Sequence, residues 1–179
     1  MIRLSDGNDM PAVGLTSFRR DSMDDMSKQI GQALQSGIRC FEITELFGNE
    51  HMVMEALQHV PRHELFISLR LWPKGRKYKD ILRSVKESLM GANLNYVDLL
   101  VLHAPIDPVN KFDQWKAMEE LKDDGYVKSL GAGSLTLLQL MDLLKNCNFP
   151  PAILEVCSHM VIITIYLIFI IEFYSLYID

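Results

Sequence analysis

Cysteine is scarce in this chain, and its pattern lacks what cysteine chemistry would need. Cys40, Cys147 and Cys157 are odd in number and scattered, with no CxxC pair and no metal-ligand spacing. That excludes a disulfide scaffold and a structural zinc site, and reduced thiols in a cytosolic protein are expected. A surplus of positive charge is also missing. The net charge of -5 argues against a nucleic-acid partner, because phosphate binding needs a basic surface. The one basic cluster, Lys74, Arg76, Lys77 and Lys79, reads as a solvated loop. The first ten residues, MIRLSDGNDM, contain no apolar signal-peptide core. No linker-like tract of proline, glycine or serine divides the chain.

Long apolar runs are absent until the C-terminal stretch. From Met160 to Ile171 every residue but Thr164 is apolar, and after Glu172 the run continues to Ile178. This is about the length that crosses a bilayer. It has no flanking lysine or arginine, and Glu172 would cost a few kcal/mol near a membrane centre. Three readings stay open for residues 159–179: a tail from an unspliced or misjoined transcript, a membrane anchor, and a buried strand or helix.

The rest of the chain alternates short apolar runs with helical periodicity. Met1–Leu4 and Met10–Val13 flank a turn at Ser5-Asp6-Gly7-Asn8 and predict a hairpin. Strands are then expected at Ala12–Phe18, Arg39–Thr44, Leu65–Leu71, Tyr96–His103, Lys128–Ala132 and Pro151–Val156. Helices are expected at Met23–Gln35, Asn49–Val60, Tyr78–Met90, Phe112–Asp123 and Thr136–Asn146. Alternating βα units imply a parallel sheet, since each parallel pair needs a crossover. The runs LFISLRL and YVDLLVL suit strands covered on both faces. A doubly wound sheet would need a phosphate loop, for which Gly131-Ala132-Gly133 is the candidate. A closed barrel needs eight units and about 250 residues. The pattern alone leaves both open.

Six segments, in order, resemble the aldo-keto reductase family. LSDGNDMPAVGLTSF resembles its hairpin and first strand, and ALQSGIRCFEITELFGNE its second unit. HELFISLRLWP is similar to the third strand, YVDLLVLHAP to the fourth, LKDDGYVKSLGAGSLTLLQLMDLL to the fifth unit and PPAILEV to the sixth strand. The resemblance covers residues 1–158 and implies an incomplete (β/α)8 TIM barrel of about six βα units with an N-terminal hairpin. It also implies NADP(H) as cofactor and a small carbonyl compound as substrate, reduced by hydride transfer. Hydride transfer leaves an alkoxide that needs a proton, and the family supplies it from a tyrosine assisted by a lysine, an aspartate and a histidine.

At those four positions this chain carries Phe47 for the tyrosine, Arg70 for the lysine, Glu42 for the aspartate, and His103, which matches. A phenyl ring has no proton to give. Arginine stays protonated and cannot copy a tunable ammonium. Glu42 and Arg70 could pair across the barrel top as a local salt bridge. His103 either orients or protonates a carbonyl, or is a satisfied histidine at a strand end. The cofactor positions implied by the resemblance hold Thr16, Ser17 and Phe18 in the first strand, Gly133 and Ser134 after the fifth, and Glu155 on the sixth. Glu155 lacks the amide donor expected there.

The family's seventh and eighth units have no counterpart here, so both end strands are expected to expose unpaired backbone. An aggregation-prone or chaperone-bound product follows, unless the tail supplies a strand or a partner completes the barrel. The resemblance thus implies a cytoplasmic NADP(H)-dependent oxidoreductase domain with impaired catalysis. The other readings are a non-catalytic barrel binding a ligand or protein, and a protein anchored to a membrane through residues 160–178.

Overall fold

The computed structural model describes residues 1–16, 23–72, 75–103, 111–157 and 162–165. The chain opens with a hairpin of β1 (Ile2–Arg3) and β2 (Asp9–Met10), paired antiparallel. Next come β3 (Gly14–Thr16), α1 (Met23–Gln35), β4 (Cys40–Thr44), α2 (Glu50–Leu57), β5 (Phe66–Leu71) and α3 (Tyr78–Gly91). They are followed by β6 (Val97–His103), α4 (Lys111–Asp123), β7 (Val127–Gly133), α5 (Leu137–Asn146), β8 (Ile153–Cys157) and β9 (Ile162–Ile165). The expected strand Ala12–Phe18 runs past residue 16 into residues outside those described.

The strands lie side by side in chain order, β3 to β8 all parallel. A doubly wound sheet reverses its strand order at a switch point. Here the order never reverses, so the barrel reading holds. The sheet also curls. β4 and β8 are four spacings apart, roughly 19 Å in a flat sheet, yet Glu42 on β4 and Glu155 on β8 both touch Arg70 of β5.

Gly131-Ala132-Gly133 proves to be part of β7 and not a phosphate loop. A Cβ on Gly131 would meet Val101, Leu99 and Ile153 side chains at 3.2–3.3 Å. Any larger residue there would have to push these three side chains back by a few tenths of an ångström.

Two cores flank the sheet. Outside, each helix sets a stripe at helical spacing against the strands. Met26 and Ile30 come from α1, Val53 and Leu57 from α2, and Ile81, Val85 and Leu89 from α3. Trp115, Met118 and Leu121 of α4 continue the layer. Inside, Cys40, Phe66, Leu99, Val101 and Ile153 form a smaller cluster with Met10 against it. α5 starts with a capping box in which Thr136 Oγ1 accepts from the Gln139 amide at 3.3 Å. The Gln139 side chain accepts in return from the Thr136 amide at 2.9 Å.

The N-terminal ends of the strands are clamped by buried Asp98, which accepts from Arg62 at 2.7 Å, the Ile67 amide at 2.9 Å and Lys128 at 2.8 Å. Both cations also lie over the Tyr96 ring, 4.1 and 4.3 Å from its centroid.

The expectation of two bare end strands needs correction at one end. β9 pairs antiparallel with β8, from Leu154↔Ile165 to Cys157↔Ile162, so part of the apolar tail covers that edge. The rest of residues 159–179 lies outside the described residues. Among the described residues no helix is long and apolar enough to cross a membrane.

Candidate functional site

Side chains from β4, β5, β6 and β8 converge at the C-terminal ends of the strands. Parallel pairing sets Glu42 opposite Ser68, Thr44 opposite Arg70, and His103 opposite Gly133. Side chains two apart on a strand share a face, so Glu42, Ser68 and Arg70 all turn into the barrel.

Arg70 is the hub. Its Nε and Nη2 donate to Glu42 Oε1 and Oε2 at 2.9 and 2.7 Å, a bidentate fork. Nη1 donates to His103 Nδ1 at 2.9 Å, and Nη2 lies 2.6 Å from Glu155 Oε2. That last contact is a close ion pair without an aligned hydrogen bond, since Glu155 Oε2 has no donor on axis. Arg70, Glu42 and Glu155 expose only 14%, 11% and 10% of their side chains, so little water screens them. The pairing of Glu42 with Arg70 expected from sequence is present, and Glu155 joins it as a third member.

The charges follow from this packing. Burial works against Arg70's charge, but the bond and field of Glu42, with Glu155 behind them, outweigh it and hold the guanidinium protonated. Burial pushes the Glu155 carboxyl above its ordinary value; Arg70 pulls it down and Glu42 pushes it up. Burial, then the Arg70 charge, lowers His103 below its usual range. A guanidinium is donor only, so His103 Nδ1 must accept and the neutral ring carries its proton on Nε2. The buried Cys40 thiol, pushed up to about 12 by burial and then by Glu42, is inert.

Phe47 stands on the turn that follows β4 and is 36% exposed. It brings no ionisable group. Thr16 ends β3 and borders the cavity beneath the cluster. Ser134 has φ +56°, and its amide donates to the Glu155 carbonyl at 2.7 Å. Gly133 lies so close to His103 that a Cβ would meet Nδ1 at 3.0 Å. Ser17 and Phe18 lie outside the described residues, as does Lys74.

Sequence reasoning missed Glu45. From the same turn as Phe47, its buried carboxylate accepts from the Trp72 amide at 2.9 Å, from Arg76 at 2.6 Å and from the Ser84 hydroxyl. Trp72 in turn sets its ring edge-on to His103, centroids 4.5 Å apart. Arg76 is therefore no free loop charge, which corrects the solvated reading of the basic cluster, while Lys77 and Lys79 are exposed. The acidic partner of Arg76 lies 31 residues upstream, where no local pattern could flag it.

The residues present are a poor fit for a nicotinamide. Glu155 is engaged with Arg70 and offers no amide donor. Two carboxylates against one guanidinium leave the pocket negative beside an anionic dinucleotide. Among the described residues no cluster could hold a metal ion. A cavity of about 540 Å³ lies outside the barrel, between α2 and the loop that follows α3, and none of the converging groups lines it.

Comparison with known proteins agrees with this geometry. The chain is 34% identical over 162 residues to the putative methylglyoxal reductase DkgA of Salmonella typhi, a match covering 89% of this chain and 58% of that protein. MGS-M4, an aldo-keto reductase from a Medee basin deep-sea metagenome library, superimposes with TM-score 0.81 at 29% identity, covering 88% of this chain and 57% of that one. A Bombyx mori aldo-keto reductase solved in complex with NADP superimposes with TM-score 0.78 at 26% identity, covering 88% and 57%. The chain thus spans less than two thirds of the proteins it matches. Since the aldo/keto reductase family model matches residues 12–166, more than half of the whole, this chain belongs to the aldo/keto reductase family.

Proposed function

We propose that the chain is an NADP(H)-dependent oxidoreductase domain by descent, built for small carbonyl compounds and impaired in hydride transfer. The observation that carries this reading is the locked Arg70. It donates to Glu42 and His103 and pairs in charge with Glu155, and the neighbouring tyrosine position holds a phenyl ring. A reduced carbonyl needs a proton within hydrogen-bond reach. Phe47 has none, and arginine does not release one. The neutral His103 can donate a hydrogen bond from Nε2, which orients a carbonyl but protonates an alkoxide poorly. The Glu155 carboxyl is the other proton store, and Arg70 stabilises its ionised form.

The negative pocket extends the impairment to the cofactor. The relatives' carbonyl substrates make short aldehydes the compounds to try first. The test is NADPH oxidation with a panel of aldehydes and ketones, comparing the unmodified chain with Phe47→Tyr/Arg70→Lys. General acid catalysis is worth roughly 10²–10⁴-fold, so the unmodified chain should trail the double variant by at least about a hundredfold. Equal, measurable turnover by the two would overturn the reading, as would micromolar NADPH affinity in a fluorescence titration. A non-catalytic ligand-binding barrel is the second reading, favoured by a cavity beneath Arg70.

A further inference from the structure

Beneath the Arg70 hub, inside the curl of the sheet, lies a cavity of about 280 Å³. Its lining combines apolar Met10 and Val13 with polar Ser68, Arg70 and Glu155. The polar side is unbalanced in charge. Glu42 and Glu155 bring two negative charges and Arg70 one positive, which leaves one negative charge in a nearly dry place. It is unbalanced in hydrogen bonds as well. Arg70 occupies both oxygens of Glu42, whereas Glu155 Oε2 has no aligned donor. The hydroxyl of Ser68, a residue only 3% exposed, has no partner at all among the described residues. Buried polar atoms left unmet are rare, because each forfeits its hydration.

We propose that this cavity binds a small organic cation, a primary ammonium on a short apolar stem. The ammonium carries three N–H donors and one positive charge, which matches one surplus negative charge and two oxygens in want of donors. The stem would lie against Met10 and Val13. An anion would add a third negative charge to the pocket, and a carbonyl compound has no donor to offer.

Calorimetric titration of the full chain with propylammonium chloride, sodium butyrate and potassium chloride at matched ionic strength tests the assignment. Propylammonium should bind saturably, and at least tenfold more tightly than butyrate or potassium. Glu155→Gln should weaken it at least tenfold, and Ser68→Ala several-fold. Butyrate binding equally well, potassium reproducing the heat, no saturable propylammonium heat, or a Glu155→Gln variant binding like the parent would each overturn it. The three-probe comparison needs no variant, so a substitution that prevents folding leaves the test intact. Since its readout involves no NADPH, the outcome is separate from that of the reductase assay.

Discussion

Replacing Arg70 with methionine should destabilise the chain more than any exposed charge substitution. Methionine keeps much of the stem's bulk and removes the guanidinium that Glu42 grips at 2.9 and 2.7 Å and Glu155 meets at 2.6 Å. Both carboxylates are about nine-tenths buried. Removing one member of a buried ion pair costs about 3–5 kcal/mol, because the partner's charge stays behind. For a domain of this size that corresponds to a fall of about 6–20 °C in melting temperature. The loss should also depend on pH. Glu155's folded carboxyl is already raised above its unfolded value, so across that window the folded state holds the extra proton and stability falls as pH rises. Without Arg70 the carboxyl moves higher still, so the penalty should be greatest at pH 8 and shrink toward pH 5. Urea melts followed by circular dichroism at both pH values measure it. Arg70→Met/Glu42→Leu/Glu155→Leu, which removes every charge together, should recover most of the loss. A penalty below about 1 kcal/mol at pH 8, the level of exposed pairs, or one that grows in acid, would refute the reasoning.

Two further outcomes are expected. Asp98→Ala strips the shared acceptor from Arg62, Lys128 and the Ile67 amide, and should cost about 3 kcal/mol in the same urea melts. Long-range proton–nitrogen NMR should find His103 as the neutral Nε2–H tautomer at pH 6.5, where an unperturbed imidazole is half charged; with its folded value lowered, His103 supports stability above pH 6.5 and withdraws that support as pH falls.

Much of the fold was legible because it is local. The spacing of Met23, Met26 and Ile30 predicts a helix over Met23–Gln35, and α1 has those bounds. The apolar continuity of LFISLRL predicts a strand covered on both faces, and every residue of β5 except Arg70 is buried. Misreadings arose where meaning depends on distant neighbours. Gly131 resembles part of a phosphate loop until Val101 and Ile153 are seen crowding it. The positions of Glu42, Phe47, Arg70 and His103 were available from motif resemblance, but the pairing of Arg70 with Glu155, 85 residues later, depends on the curl of the sheet. Glu45 carried no signal because its three partners come from later segments. In the tail, hydropathy could not separate a strand that caps β8 from a span that crosses lipid.

The antiparallel return of Ile162–Ile165 onto β8 has a consequence for the geometry of growth. A parallel barrel extends by offering its newest rim to the next arrival, and here that rim is taken by a segment running the opposite way. A seventh parallel strand and β9 would need the same amide and carbonyl groups of Leu154–Cys157, so one must peel away before the other can settle. The short return is a stopper: it trades the chance of further closure for an arc whose leading rim is already spoken for.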